Sequence, residues 1–132
     1  FTAHYRLSEP DDEVIFARIG ANAPYFNLRK EPLSIHRKRN KKSPVFINVI
    51  CSHGDYNPID EIPVKPYSVP VDIKLICHND HYTVAEVTTG NKNVYSLMIS
   101  HDAGKTNQSH QYTSGNEVYK WNNPVSIIKK QK

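Results

Sequence analysis

Cysteine, methionine and tryptophan are scarce in this chain of 132 residues, at two, one and one, and glycine stands at five. Two cysteines cannot build a dense disulfide framework, and a chain this long does not need one, since it can bury roughly two-thirds of the surface its unfolded form exposes. A stapled miniprotein is excluded. No apolar run approaches the ~18 to 20 residues that cross a bilayer; the longest, Val45 to Cys51, is interrupted by Asn48. No membrane span is expected, and the chain reads as soluble. There is no glycine-rich phosphate loop, no serine elbow and no repeated aromatic-plus-basic strand pattern of a single-strand binder. No charged-then-apolar leader precedes Phe1. A processed, secreted chain is therefore expected.

Aromatic residues are well represented, with eight Tyr and four Phe, and hydrophobic residues reach 38% against 23% charged. That balance excludes a disordered tail and fits one globular domain over residues 1–132. Seventeen Lys and Arg against 13 Asp and Glu give a formal charge of +4. Much of the excess lies between Arg29 and Lys42, where Arg29, Lys30, Arg37, Lys38, Arg39, Lys41 and Lys42 face only Glu31. Such a run suits phosphates or an acidic partner surface, with Arg37, Lys38, Arg39, Lys41 and Lys42 as candidate RNA- or partner-binding residues. Trp121, beside Lys120, is a candidate partner anchor. Asn107-Gln108-Ser109 is a glycosylation sequon if the chain is secreted.

Ser8-Glu9-Pro10-Asp11 reads as a helix start: a hydroxyl cap, a proline in the first turn, and Asp11, Asp12 and Glu13 at the positive end of the dipole. Val14, Ile15 and Ile19 share one helical face, and Gly20 and Pro24 supply the stop. Further on, β-type segments take over at Val45–Ile50, Val71–Cys77, Tyr82–Thr88, Asn93–Ser100, Glu117–Trp121 and Val125–Ile128. Thr89-Gly90-Asn91-Lys92 is turn chemistry, so Tyr82–Thr88 and Asn93–Ser100 should form a central antiparallel hairpin. Prolines 58, 63, 66 and 70 mark an irregular connection or sheet edge. An α+β fold is predicted, one N-terminal helix packed on a twisted antiparallel sheet. Cys51 and Cys77 both end strand patterns, and in an oxidising compartment a bridge between them is expected.

Seven histidines invite a search for chemistry. Cys77-His78-Asn79-Asp80-His81 groups possible ligands, but no second pair stands at matching spacing, so a polar loop is expected and no metal or other cofactor. In the strand Asn93–Ser100, alternation puts Tyr95, Leu97, Ile99 and His101 on one face, with His101 at the end of the strand. A strand ending in a small apolar pair, Ser, His and a Gly-bearing loop resembles the strand presenting the catalytic histidine in fungal guanyl-preferring ribonucleases of the T1 type and in ribotoxins. Asp60-Glu61-Ile62-Pro63 resembles that family's base-bearing strand, and Asp80-His81-Tyr82-Thr83-Val84 its Asp-Arg strand.

The resemblance implies a ribonuclease T1-like scaffold with Glu61 as base and His101 as acid. Val45 stands where the family has a second histidine and His81 where it has arginine. With no second cation to stabilise phosphorane charge, catalysis is expected to be lost, because electrostatic stabilisation is usually the largest contribution in such sites. Glu61, His81 and His101 are then vestigial. A secreted, cysteine-poor, inactive ribonuclease scaffold is similar to the RNase-like effectors that powdery mildew fungi deliver into cereal cells. That likeness implies a non-enzymatic, monomeric virulence protein that enters the host cytoplasm, binds host plant proteins and weakly RNA, and is detected by an intracellular immune receptor. An active guanyl-preferring ribonuclease and a non-catalytic RNA-binding protein are the alternatives.

Overall fold

A computed structural model describes residues 2–7, 10–21, 29–39, 42–65, 67, 69–102 and 108–130. Among these there is no helix. The strands are β1 (Thr2–Tyr5), β2 (Asp12–Ala21), β3 (Arg29–Lys38), β4 (Asn48–Cys51), β5 (Asp55–Asn57), β6 (Ile62–Val64), β7 (Val71–His78), β8 (Tyr82–Thr89), β9 (Val94–Ser100), β10 (His110–Ser114), β11 (Glu117–Trp121) and β12 (Val125–Lys130). Backbone packing divides the chain into two compact units, residues 5–46 and residues 1–4 with 47–132.

In the first unit, the segment expected to be helical is strand β2, paired antiparallel with β3. The α+β prediction is corrected to a β-rich fold for a physical reason. A helix of about ten residues is marginal without a packed face, whereas the extended form gives each acid of 12–13 a cation opposite it. Asp12 faces Lys38, Glu13 faces Arg37 and Ile15 faces Ile35. Val14, Ile15 and Phe16 also suit a pleated strand better than a helix. Of the expected cap, Ser8 and Glu9 lie outside the described residues, while Pro10 and Asp11 form a turn into β2.

The second unit is built on a four-stranded antiparallel sheet in the order β12-β9-β8-β7, with smaller pairings β1-β4, β5-β6 and β10-β11. Strands β8 and β9 are central, as their alternation predicts, and Ala85 faces Leu97 while Val84 faces Met98. Their turn is closed by Thr89 N–H donating to Asn93 O at 2.9 Å and Lys92 N–H to Thr89 O at 2.7 Å. Lys92, not Gly90 or Asn91, takes the left-handed backbone, with φ of 59°. Gly90 answers a different demand: a Cβ there would stand 2.7 Å from Val69 Cγ1 and 3.0 Å from Pro70 Cδ.

One irregularity decides what the sheet presents. Leu75 pairs with Ala85, yet Cys77 pairs with Val84, so Ile76 is an extra residue in β7. Because paired residues share a face and neighbours alternate, this bulge moves Cys77 to the Val84–Met98 face and His78 to the face of Thr83 and Ala85. Cys77, Val84 and Met98 then form the core with Tyr119 and Trp121 of β11, flanked by Ile76, Tyr82 and Tyr112. Val84 and Met98 are 0% and 1% exposed. The core is thus one sheet face covered by an aromatic hairpin. Among the described residues, no helix is long and apolar enough to cross a membrane.

Candidate functional site

Part of the basic run is paired within its own hairpin. Arg37 and Arg39 both pair with Glu13, the latter through Nε at 3.2 Å, and Lys38 Nζ donates to Asp12 Oδ2 at 2.8 Å. The side chains of Lys38 and Asp12 are only 5% and 1% exposed, so this pair is shielded from solvent. The hydrogen bond from Arg37 holds the Glu13 carboxyl below its ordinary range, with Arg39 adding to it. Lys42 is exposed in a bend, and Lys41 lies outside the described residues. Three of the five candidate cations are therefore engaged by the acids of β2.

Chemistry-bearing groups gather where β7 and β9 end and β8 begins. Asn79 builds the turn between β7 and β8: its Oδ1 accepts from His81 N–H at 2.9 Å and Tyr82 N–H at 2.8 Å. That leaves His81 exposed at the tip of the turn. His101, just past β9, is fastened to this turn by its own N–H, which donates to His81 O at 2.8 Å. Its ring lies with Nε2 2.8 Å from Thr83 Oγ1 and Nδ1 3.2 Å from Asp80 O. The same Thr83 oxygen is 2.8 Å from His78 Nδ1. The His78 and His101 rings meet edge to face with centroids 5.5 Å apart. His78 and His101 are exposed, while Thr83 between them is buried.

The opposite face of the same strand ends carries an aromatic layer. Tyr82 packs edge-on to Trp121 at 5.1 Å and to His110 at 5.9 Å, and His110 lies 5.3 Å from Trp121. Trp121 is 3% exposed, so its ring faces the core and not a partner. Cys77 is buried beneath this layer, where Asn79 Nδ2 donates to its Sγ at 3.3 Å. A hydrogen bond with Cys77 pushes the Tyr112 phenol above its ordinary value. Cys51, at the end of β4, is half-buried. Both thiols are free, and the bridge expected between Cys51 and Cys77 is not made. The bulge explains part of this, since it turns Cys77 into the core.

The sequence candidates thus separate. His81 and His101 come together, joined by a backbone hydrogen bond. Glu61 occupies the turn between β5 and β6, exposed and with a left-handed φ of 54°. No described contact links it to either histidine. His78 and Thr83 were missed as a pair; the signal was the Cys77–His81 cluster, read as a polar loop because no metal spacing accompanied it. Among the described residues, no group of three or more His, Cys, Asp or Glu is placed to hold a metal ion.

A second polar cluster went unread because Glu86 sits inside an apolar strand. Tyr119 Oη donates toward Glu117 Oε2 at 2.7 Å and Glu86 Oε1 at 3.1 Å, and Lys130 pairs with both carboxylates. Burial, then the two carboxylates, push the Tyr119 phenol far above its ordinary value. The hydrogen bond from Tyr119, then that from Lys130, lowers Glu117. For Lys130 burial opposes the charge, but the bonds to Glu86 and Glu117 outweigh it and its pKa rises. This cluster adjoins a groove of about 250 Å3 lined by Met98, Val118, Tyr119, Lys120, Ile128 and Lys130. Lys130 is already engaged by the two carboxylates, which leaves Lys120 as the cation of the groove lining outside the cluster.

No family model matches the chain. Over 119 residues, 90% of its length, it is 29% identical to an exo-oligoalginate lyase of Saccharophagus degradans. Over 132 residues, its whole length, it is 28% identical to an alginate lyase of Stenotrophomonas maltophilia. The chain spans about one-sixth of these relatives, 16% and 17% of their lengths. Both relatives are enzymes, and neither is a ribonuclease or an effector. With residues 12–21 forming a strand and no helix among the described residues, this overturns the ribonuclease-like scaffold, the powdery mildew effector reading and the expectation of a non-enzyme. The three short motifs behind that resemblance rest on strand-end and turn chemistry that unrelated β folds share.

Proposed function

We propose that this chain is a β-rich part of an alginate-cleaving lyase, and that the histidine-bearing end of its four-stranded sheet meets the polymer. The observation that carries the reading is the similarity to two alginate lyases across 90% and 100% of the chain. Alginate is a polyuronate. Its eliminative cleavage removes the proton from the ring carbon that bears the carboxylate, uses that electron pair to form a double bond to the neighbouring carbon, and breaks that neighbour's bond to the leaving glycosidic oxygen, which takes up a proton. The reaction needs a proton acceptor, a proton donor and cationic or N–H groups at the carboxylate. Imidazoles can serve each of these roles near neutral pH. His78 and His81 provide two exposed imidazoles within one strand-end cluster, and His101 packs beside them. The formal charge of +4 favours approach of a polyanion.

The test is a titration of the chain with alginate oligosaccharides, followed by nuclear magnetic resonance of the histidine rings and by ultraviolet absorbance of the unsaturated product. Binding should weaken as salt rises and should move the signals of His78, His81 and His101 more than that of His36. Binding no stronger than that of a neutral dextran, with no unsaturated product, would overturn the proposal.

A further inference from the structure

Hydrogen bonds at the end of the sheet form a chain whose directions are fixed from one end. Asp80 O is a carbonyl and can only accept, so His101 Nδ1, 3.2 Å away, carries a proton. In its neutral form the imidazole has one N–H, and in that form His101 Nε2 is a lone pair. Thr83 Oγ1, 2.8 Å from that nitrogen, must therefore donate to it. Its single proton is then committed, and His78 Nδ1, 2.8 Å from the same oxygen, has to be the donor. By elimination, His78 Nε2 is left unprotonated, on a side chain exposed at the end of β7.

The groups along this chain are well anchored. Thr83 is 7% exposed on the central strand β8 and lies opposite both His78 and Ile99 in the sheet register. His101 is held by its backbone N–H on His81 O. An unconstrained imidazole interconverts between its two N–H forms, and the position of the proton is set by the bond the other nitrogen makes. Here that bond runs to a buried hydroxyl whose own direction is set by His101.

We propose that Thr83 and His101 are positioning residues that lock His78 in its Nδ1–H form, so that its exposed Nε2 is the proton acceptor offered to a sugar at this end of the sheet. The assignment rests on the polyuronate reading above and deepens it by naming the accepting atom. Neither Thr83 nor His101 needs to touch the sugar.

Long-range nitrogen–proton correlation on the nitrogen-15-labelled chain, at a pH where the imidazoles are neutral, tests the lock directly. His78 should show a protonated Nδ1 and an unprotonated Nε2. Thr83→Val should give mixed forms, and Thr83→Ser should restore the single one. With an alginate trisaccharide as probe, the wild type and Thr83→Ser should bind alike. Thr83→Val should bind about three- to tenfold more weakly, the range expected for one neutral hydrogen bond. A protonated Nε2 on His78 in the wild type, or a Thr83→Val chain unchanged in both readouts, overturns the lock even if the trisaccharide binds. A locked ring in a chain that ignores the trisaccharide instead overturns the polyuronate reading, and with it the assignment of the acceptor to a sugar.

Discussion

Met98→Ala tests whether the sheet face covered by the β10–β11 hairpin is the main store of stability in the larger unit. Met98 is 1% exposed, opposes Val84 across the centre of the sheet, and shares the core with Cys77, Tyr119 and Trp121. Truncation to alanine removes three heavy atoms beyond Cβ. At about 0.8 kcal/mol for each methylene-sized group this is about 2 kcal/mol of lost transfer energy, and a cavity among rigid aromatic rings brings the total to roughly 2–4 kcal/mol. Against a typical domain stability of about 5–15 kcal/mol that is a large fraction. Ile127→Ala on β12 is the internal control: its side chain is 67% exposed, so the loss should stay below about 1 kcal/mol. Urea unfolding followed by tryptophan fluorescence reports on Trp121 in the same core. With an m-value of about 1–3 kcal/mol per molar, Met98→Ala should lower the midpoint by roughly 1–2 M at unchanged slope. Equal effects of the two substitutions, or a Met98→Ala loss below about 1 kcal/mol, would refute this account of the core.

Two other outcomes are expected. Gly90→Ala should cost about 1–3 kcal/mol in the same unfolding experiment, because its methyl group would press on Val69 and Pro70, and a neutral result would mean that this turn gives way freely. Glu117 is held below its ordinary value of 4.5 by Tyr119 and Lys130, so its contribution is present above about pH 4.5 and lost as pH falls through the lower folded value; Lys130→Met should make the acid limb of stability shallower, and parallel limbs from about pH 7 to about pH 3 would contradict the ion pairing.

Much of the central sheet was legible in the sequence, and the reason is local. Strands β7, β8, β9, β11 and β12 coincide with the Val-, Ile- and Tyr-rich segments, and the β8–β9 turn lies where turn residues cluster. The error at 8–20 came from the same kind of signal. Pro10, Asp11, Asp12 and Glu13 look like a helix start, but cap residues report only what one segment would gain alone, whereas Asp12 and Glu13 find stronger partners in Lys38, Arg37 and Arg39 some two dozen residues later. The pairing of Arg37, Lys38 and Arg39 was hidden for the same reason: their acids are close in space and distant in sequence. Strands β5 and β6, three residues each, are too short for a periodic signal.

The site was hidden by a single residue. Strict alternation in β7, continued from the Leu75–Ala85 pair, would set Ile76 opposite Val84, Cys77 opposite Thr83 and His78 opposite Tyr82. The extra residue at Ile76 shifts the register, so that Cys77 meets Val84 in the core and His78 meets Thr83. Without the bulge, a thiol would stand where the accepting imidazole stands, and His78 would be driven into the aromatic layer of Tyr82, His110 and Trp121. No composition or period in Val71–His78 marks the bulge, because Leu, Ile and Cys in succession suit either register. What selects it is the cost of burial. A thiol enters an apolar core more readily than an imidazole whose two nitrogens both need partners. The bulge leaves the thiol under the hairpin and gives the imidazole a hydroxyl on one side and solvent on the other.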